Sequence, residues 1–339
     1  MMAVYIPFRK LRRLCIVQVT VALIICLFLS TFTSLPRNYS INYNNTITWS
    51  LQCERHKNNS NDRIFFHETS GRMELSFRQC CAIESAAFHN PQRPVQIFLQ
   101  PQQLAGSFVK INQSSGWFQV LSRYPNIKVI VIDDDELYFR GSPYEDWYSS
   151  GEWRYSPFRI QHMADYIRIL TLFKGGGMYL DLDVLTIQPY DGPLSSNFVT
   201  YGSAHMNIIT NEMFHMDLCN QFIAGIIKAQ TAQYEPDDYV FNGPGAISDA
   251  MASVCNVTHS RSPKSNICTD IHLLEHFYFH PIGNALASTF FQPIERAPMF
   301  EKSYGLHFYN SFTQNQSFDL SPNSTQLFAR LAAQNCPLT

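Results

Sequence analysis

The chain has 339 residues, with 25 lysines and arginines against 27 acidic residues and a formal net charge of −2. Charged residues make up 15% of it and aromatic residues 14%, and the charged share lies below the roughly 25% usual for soluble domains. Without a basic excess the chain lacks the electrostatic signature of a nucleic-acid-binding protein, so we expect no nucleic-acid partner.

The N-terminus combines a basic cluster with a long apolar run. Arg9, Lys10, Arg12 and Arg13 precede residues 14–32, which carry no charge and would span roughly 28 Å as a helix. The alternative is a cleaved signal peptide, whose apolar core is usually shorter. With the positive flank in the cytoplasm, we predict a cytoplasmic tail at 1–13, a transmembrane signal anchor at 14–32, a luminal stem at 33–62 and a folded luminal domain at 63–339.

Glycosylation sequons and cysteines agree with that position. The sequons begin at Asn38, Asn44, Asn58, Asn112, Asn256, Asn315 and Asn323, and such acceptors are typical of chains that pass through the secretory pathway. The cysteines beyond the anchor lack the spacing of a structural zinc site, so we expect disulfides and one leftover thiol. Cys255 and Cys268 flank a polar loop, and we predict that they are bridged.

Strand and helix patterns alternate along the folded domain. Strand patterns begin at Ile64, Val95 and Ile127, and helical spacing covers Leu75–His89 and Phe158–Lys174. This order predicts an α/β domain, with a Rossmann-like, mainly parallel sheet and helices on both faces. The ligand crevice of such a sheet lies at the carboxyl ends of its strands.

Two carboxylates interrupt the most apolar of these patterns. Residues 178–185 alternate as a strand, which places Asp181 and Asp183 on one face. Because buried unpaired carboxylates are costly, we expect a divalent cation there, Mg²⁺ or Mn²⁺, together with a nucleotide diphosphate. An Asp-x-Asp triplet also arises by chance, and 133–135 form a second one. The preceding helix and glycine break favour the first.

Asp165 and Arg168 lie three residues apart in the second predicted helix, so their side chains project from neighbouring positions on its surface. They form either an ordinary ion pair of the helix or part of a binding site. The sequence pattern alone leaves both interpretations open.

The runs FFHETSG, CAIESAAFHNP, DWYSSGEWRYSPF, MADYIRILTLFKGGGMYLDLDVL, NGPGAISDA and SYGLHFYNS resemble, in this order, the α1,4-glycosyltransferases of the DxD sugar-transferase group. The resemblance covers nearly all of residues 64–337. It implies a GT-A-type fold, a Golgi type II membrane location, and transfer of a sugar from a UDP donor with retention of the α configuration. The domain at 63–339 is then the catalytic domain.

The resemblance also implies a metal centre built on the aspartate pair. Asp183 is similar to the residue that binds Mn²⁺ directly, and Asp181 to the residue that bridges metal, ribose and donor sugar, which makes both catalytic. His307 and Asn310 occupy the place of an element near the diphosphate, where His307 is either a metal or phosphate contact or a structural histidine.

Further residues are implied to hold the nucleotide sugar. Asp165 and Arg168 resemble the pair that contacts the donor sugar and its phosphate end, and Tyr179 resembles a residue beside the uridine. Asn242 and Gly243 resemble a loop on the acceptor side. The resemblance names no catalytic base.

Two positions depart from the family pattern. Leu182 replaces the small polar residue that is usual between the two aspartates, and its side chain is expected to point away from them. Asn207 and Ile208 stand where Asn-Gly is usual, which leaves the donor open among UDP-galactose, UDP-N-acetylgalactosamine and UDP-N-acetylglucosamine.

The resulting expectation is a retaining Golgi α1,4-glycosyltransferase acting on a glycan acceptor, with a glycosphingolipid favoured. One alternative is a non-catalytic partner or chaperone of another transferase, which should have lost the metal pair. Another is a metal-dependent lectin, which would need no nucleotide.

Overall fold

The computed structural model describes residues 62–101, 112–132, 135–202, 209–255, 267–268, 270–296 and 298–339. The predicted tail, the anchor and the stem up to residue 61 lie outside these ranges. So do Asn207 and Ile208, and the side chains of the 133–135 triplet. Within the described ranges, no helix is both long and apolar enough to cross a membrane.

The larger of two sheets has eight strands. They are β1 Ile64–Glu68, β2 Val95–Leu99, β3 Ile127–Val131, β4 Gly177–Leu180, β6 Phe198–Thr200, β7 Met213–Met216, β8 Ile267–Cys268 and β9 Ile271–Leu274, in the spatial order β3-β2-β1-β4-β7-β6-β9-β8. The smaller sheet pairs β5 Val184–Thr186 with β10 Gly305–His307.

The strand directions confirm a mostly parallel sheet. Strands β3, β2, β1 and β4 pair in parallel, and so do β6 and β9. Strand β7 is antiparallel to both β4 and β6, and β8 is antiparallel to β9. Parallel pairing requires a long crossover connection, and helices provide it here. Strands β8 and β9 are separated by only two residues, so they can pair only in the antiparallel direction.

Nine α-helices are described. They are α1 Phe77–His89, α2 Gly116–Leu121, α3 Asp135–Phe139, α4 Glu145–Ser150, α5 Arg159–Gly175, α6 Gln221–Ala232, α7 Ala246–Cys255, α8 Asn310–Thr313 and α9 Leu327–Asn335. Helices α1 and α5 confirm the two helical predictions. Ser76 and Gln79 form a capping box that starts α1, in which each side chain bonds the other residue's backbone N–H.

Buried side chains lie on both faces of the sheet. Ile64 and Phe66 of β1 join one cluster, which includes Ile83 of α1, and Phe65 joins the opposite cluster with Ile167 of α5. All five residues of β1 are buried, as expected for a central strand covered by helices on both sides. The predicted two-sided α/β arrangement is confirmed.

Helix α5 is buried more completely than its sequence pattern predicted. Every residue from Asp165 to Leu172 is buried, although the spacing indicated one apolar side. One side of α5 contacts β1 and β4, and another contacts α6 and a π-helical turn at Phe241–Gly245. Its polar side chains therefore lie inside the protein, where they need partners.

The prediction of one continuous strand over residues 178–185 is wrong, because the structure has two strands there. Strand β4 ends at Leu180, residues 181–183 form a turn, and Val184 opens β5 in the other sheet. The Asp181 N–H donates to the Glu212 carbonyl at 2.8 Å, and the Val184 N–H donates back to the Asp181 carbonyl at 3.1 Å. The carboxylates thus leave a tight turn between two sheets.

A disulfide links α1 to the C-terminal region. Cys81 is bonded to Cys336, which directly follows α9. Cys80 is a free buried thiol, and Cys219 is also disulfide-bonded. The side chains of Cys255 and Cys268 lie outside the described part of the structure, so their pairing stays a prediction.

Candidate active site

A cavity of about 720 Å³ opens at the carboxyl ends of the central parallel strands. Glu68 ends β1, Asp181 follows β4, and both line this cavity. The position agrees with the crevice expected for a sheet of this type.

The cavity floor contains a cluster of oxygen and nitrogen ligands. One ligand atom from each of Asp181, Asp183 and His307 lies within 4.8 Å of the others. The His307 Nε2 atom is 3.2 Å from Asp183 Oδ1, and the Asn310 backbone N–H donates to Asp183 Oδ2 at 2.6 Å. Pairing of β5 with β10 sets Val184 opposite His307, which fixes the histidine beside the turn.

Electrostatics give these three groups different roles. Burial opposes ionisation of Asp183, yet His307 and the Asn310 N–H hold the pKa of Asp183 below its ordinary value. Burial likewise opposes a charged His307, but Asp183 raises the pKa of His307 to about 9. Burial raises the pKa of Asp181 to about 6. A histidine proton thus supplies positive charge at the place that a cation would take.

Asp165 and Arg168 form the next part of the floor. Arg168 Nη1 lies 3.2 Å from Asp181 Oδ1, and Arg168 Nη2 lies 3.6 Å from Asp165 Oδ1. The guanidinium carbon also stands 4.4 Å from the ring centre of Tyr179, whose hydroxyl donates to Asp181 Oδ1 at 2.5 Å. Because all four residues line the cavity, this is more than a helical ion pair.

Asn211 is a site residue that sequence reasoning missed. Its amide donates to Asp165 Oδ1 at 2.6 Å, while burial raises the pKa of Asp165 to about 7. The family pattern places an asparagine at Asn207, which lies outside the described residues. The signal that could have identified Asn211 is its position just before β7, the strand that pairs antiparallel with β4.

Asn242 and Gly243 were expected on the acceptor side, and the structure places them behind the cavity wall. The Asn242 amide donates to the Glu235 carbonyl at 2.7 Å, and its oxygen accepts from the Glu235 N–H at 3.1 Å. A Cβ on Gly243 would lie only 2.7 Å from Asp165 Oδ1. In the described structure neither residue lines the cavity; Gly243 gives Asp165 the space it occupies, and Asn242 holds the loop at Glu235.

Glu212 and His280 also line the floor and were not predicted. Together with His307 they form a second set of ligand atoms within 4.8 Å of one another. Neither stands in a motif. A single histidine without spacing partners gives no signal in the sequence, and Glu212 becomes visible only once β7 is placed beside β4.

The floor holds buried polar atoms that no group in the described structure satisfies. They are Glu212 Oε2, His307 Nδ1 and the Tyr309 hydroxyl. Burial lowers the pKa of His280 to about 4, so its ring is neutral and has a lone pair. Because buried polar groups are nearly always paired in folded proteins, this concentration indicates a place for a polar ligand.

The carboxylate and imidazole set fits a divalent ion. Two aspartates and a histidine offer hard oxygen and borderline nitrogen atoms, a combination suited to Mn²⁺ and related metals. His307 must lose its proton to bind, as metal ligands do.

Two family profiles match the chain around this cavity. Residues 76–200 match the glycosyltransferase sugar-binding region containing the DXD motif, and residues 215–339 match the α1,4-glycosyltransferase conserved region. The first contains Asp165, Arg168 and the aspartate turn, and the second contains His307. In both regions the chain is similar to known glycosyltransferases, and in the second region to α1,4-glycosyltransferases. The family resemblance of the sequence is confirmed.

The curated relatives with similar sequences include two kinds of α1,4-glycosyltransferase. Human lactosylceramide 4-α-galactosyltransferase is 26% identical over 279 residues, covering 81% of this chain and 76% of the relative. Human α-1,4-N-acetylglucosaminyltransferase is 24% identical over 276 residues, covering 81% and 79%. Solved structures with similarity include the PaToxG glycosyltransferase, at a TM-score of 0.44 and 16% identity over 57% of this chain and 69% of that one. The galactosyltransferase LgtC, solved with donor and acceptor sugar analogues, has a TM-score of 0.41 and 12% identity over 81% and 96%.

Proposed function

We propose that this chain is a retaining α1,4-glycosyltransferase with a GT-A-type fold, dependent on Mn²⁺ and a UDP-sugar. The sugar transferred is galactose, N-acetylgalactosamine or N-acetylglucosamine, and the acceptor is a glycan, with a glycosphingolipid favoured. The supporting observation is the cluster of Asp181, Asp183 and His307 on a floor with unsatisfied polar atoms, in a chain whose 76–200 region matches the DXD profile.

In this proposal Asp183 and His307 hold the ion and Asp181 completes the set. Bound there, a divalent ion would act as a Lewis acid that stabilises the charge on the departing diphosphate. The chain's own residues supply the preorganisation. The Asn310 N–H fixes the Asp183 carboxylate, and the Tyr179 hydroxyl and Arg168 fix that of Asp181, so little reorganisation remains at the moment of transfer.

The donor sugar is proposed to lie against Asp165 and Arg168. Asn211 and Arg168 orient the Asp165 carboxylate, which then accepts hydrogen bonds from sugar hydroxyls, while the guanidinium faces the phosphate end. The acceptor hydroxyl attacks the sugar carbon, the bond to the diphosphate breaks, and the hydroxyl proton passes to a phosphate oxygen of the donor. No side chain is assigned as a base.

We further propose that the enzyme is a Golgi type II membrane protein. The basic cluster before residues 14–32, the sequons and the disulfides support this topology. Protease added to intact microsomes should leave residues beyond the anchor undigested. A mature protein that starts near Leu35 and is free in the lumen would contradict the anchor.

A donor screen tests the activity. The purified full-length chain is given each UDP-sugar with Mn²⁺, with lactosylceramide as first acceptor because a relative is named for it. We expect release of UDP with one donor above the others, and its loss with EDTA. Binding of UDP and Mn²⁺ with no transfer to any acceptor would instead favour the non-catalytic partner role.

A further inference from the structure

The mouth of the cavity carries exposed apolar side chains. Tyr239, Val240 and Phe312 line the cavity and keep 46%, 45% and 68% of their surface exposed. Single exposed apolar residues are common on proteins, but a group of them at the edge of a polar cavity marks a contact surface. We call these three residues the apolar rim.

The fold brings the apolar rim together from two distant segments. Tyr239 and Val240 directly precede the π-helical turn, and Phe312 lies in α8. Tyr239 lies close to Ser311, the residue before Phe312, and all three residues line the cavity. The two segments therefore meet at the mouth.

The orientation of Tyr239 is fixed from behind. Its ring packs edge-on against Phe158, with ring centres 5.3 Å apart. Asp238 Oδ1 accepts hydrogen bonds from the N–H groups of Val240 and Phe241 at 2.8 and 3.0 Å, which holds the loop. An exposed aromatic side chain held by neighbours loses little entropy when a ligand covers it.

The rim is coupled to the cavity floor by a short piece of backbone. Helix α8 begins at Asn310, whose N–H bonds the Asp183 carboxylate, and Phe312 is two residues later. Phe312 is thus two residues from the group that fixes the proposed metal ligand, and it lines the same cavity.

We propose that Tyr239 and Phe312 form the acceptor subsite and stack on the apolar face of the acceptor's terminal sugar. This inference rests on the proposed transferase function. A pyranose has a face of C–H groups and an edge of hydroxyls, which suits aromatic rings beside polar groups. Such groups are present, because the amides of Gln161, Asn284 and Gln314 line the same cavity. A lipid tail has no groups that could hydrogen-bond to these amides, whereas a sugar has hydroxyls. We therefore assign the sugar as the occupant.

The test compares rim variants with a matched surface variant. Tyr239→Ala and Phe312→Ala should each raise the acceptor KM about threefold to tenfold, the loss expected for one aromatic contact, while the Kd for UDP with Mn²⁺ stays at the parental value. Tyr239→Phe should retain the parental KM because it keeps the ring. Leu286→Ala is the control, since Leu286 is 64% exposed and does not line the cavity.

A second measurement is independent of turnover. Saturation-transfer NMR of the full-length parent with UDP, Mn²⁺ and free lactose should show contact with the sugar's C–H face, and this should weaken in both alanine variants. Unchanged lactose contact and acceptor KM in both variants would overturn the inference. Weaker attachment to phosphatidylcholine vesicles with normal lactose contact would do the same, and would assign the rim to the membrane. A parent that binds neither UDP nor any UDP-sugar would instead contradict the proposed function.

Discussion

Two buried polar regions of this protein differ in how completely their hydrogen bonds are made. Glu84 of α1 is fully buried and accepts bonds from the Tyr124 hydroxyl at 2.6 Å, the Leu338 N–H at 2.8 Å and the Thr339 hydroxyl. The cavity floor also has buried polar atoms, yet Glu212 Oε2 and His307 Nδ1 have no hydrogen-bond partner in the described structure. A saturated network holds the fold together, whereas an unsaturated one has capacity for a ligand.

The largest effect is expected from removing Asp183 on the unsaturated side. Asp183→Ala should lower sugar transfer at least 10²–10³-fold, the usual cost of losing preorganised charge stabilisation. The stabilisation of the protein by Mn²⁺ against heat should disappear with it. Turnover above about a tenth of the parental value, measured as UDP release at saturating Mn²⁺, would show that the metal-centred mechanism is wrong.

Glu84→Gln probes the saturated side. The amide keeps the shape but places N–H groups where three donors already point, so the free energy of unfolding should fall by about 1–3 kcal/mol. Urea unfolding measures this. Mn²⁺ affinity and turnover per folded molecule should be unchanged, and a variant that lost Mn²⁺ binding while folded would remove the distinction between the two regions.

The affinity of the cavity floor for a metal ion should depend on pH, because one of its proposed ligands is a charged histidine. Because the pKa of His307 is raised to about 9 in the metal-free protein, the Asp183–His307 pair stabilises the fold fully below pH 6.5 and loses this effect as pH rises through 9. Metal affinity should move oppositely, increasing up to about tenfold per pH unit between pH 7 and 8.5, since one proton is displaced. Calorimetric Mn²⁺ titrations check this. His307→Asn should remove most of the slope, and a slope that survived in this variant would assign the proton to another group.

The smallest expected effect is a difference in melting temperature between variants of Asp181 and Asp183. Burial raises the pKa of Asp181 to about 6, so its charge weakens folding above that pH and has no such effect below 3.8. Asp181→Asn keeps an acceptor for Tyr179 and should raise the metal-free melting temperature at pH 7.5 slightly, by less than about 4 °C. Asp183→Asn should lower it, because His307 loses its partner. Shifts of the same sign in EDTA would contradict these opposite electrostatic roles.

Local patterns predicted much of the fold. The strand pattern of β1 and the helical spacing of α1 are encoded within a few residues, and both predictions are confirmed. The turn at 181–183 was not, because residues 178–185 alternate without interruption. What ends β4 is the choice of partner strands, β7 before the turn and β10 after it, and such long-range pairing leaves no mark in a local period.

The candidate site was predictable to the same extent. Family spacing identified Asp165, Arg168 and the aspartate pair, and the structure brings them together with His307. Glu212 and His280 could not be predicted, because no motif or spacing in the neighbouring sequence distinguishes them. Asn242 and Gly243 were assigned to the acceptor side by resemblance alone, and a sequence motif does not say whether a buried turn reaches the cavity surface.

The pairing of β5 with β10 also determines when a newly made molecule completes the proposed metal centre. Val184 and His307 are 123 residues apart in the sequence, and contacts between such distant residues form slowly because a long loop must first close. Until β10 docks, the aspartate turn lacks its histidine and the Asn310 N–H. Tight binding of Mn²⁺ should therefore appear only in the final stage of folding, which makes the metal a probe for completed molecules among those still maturing.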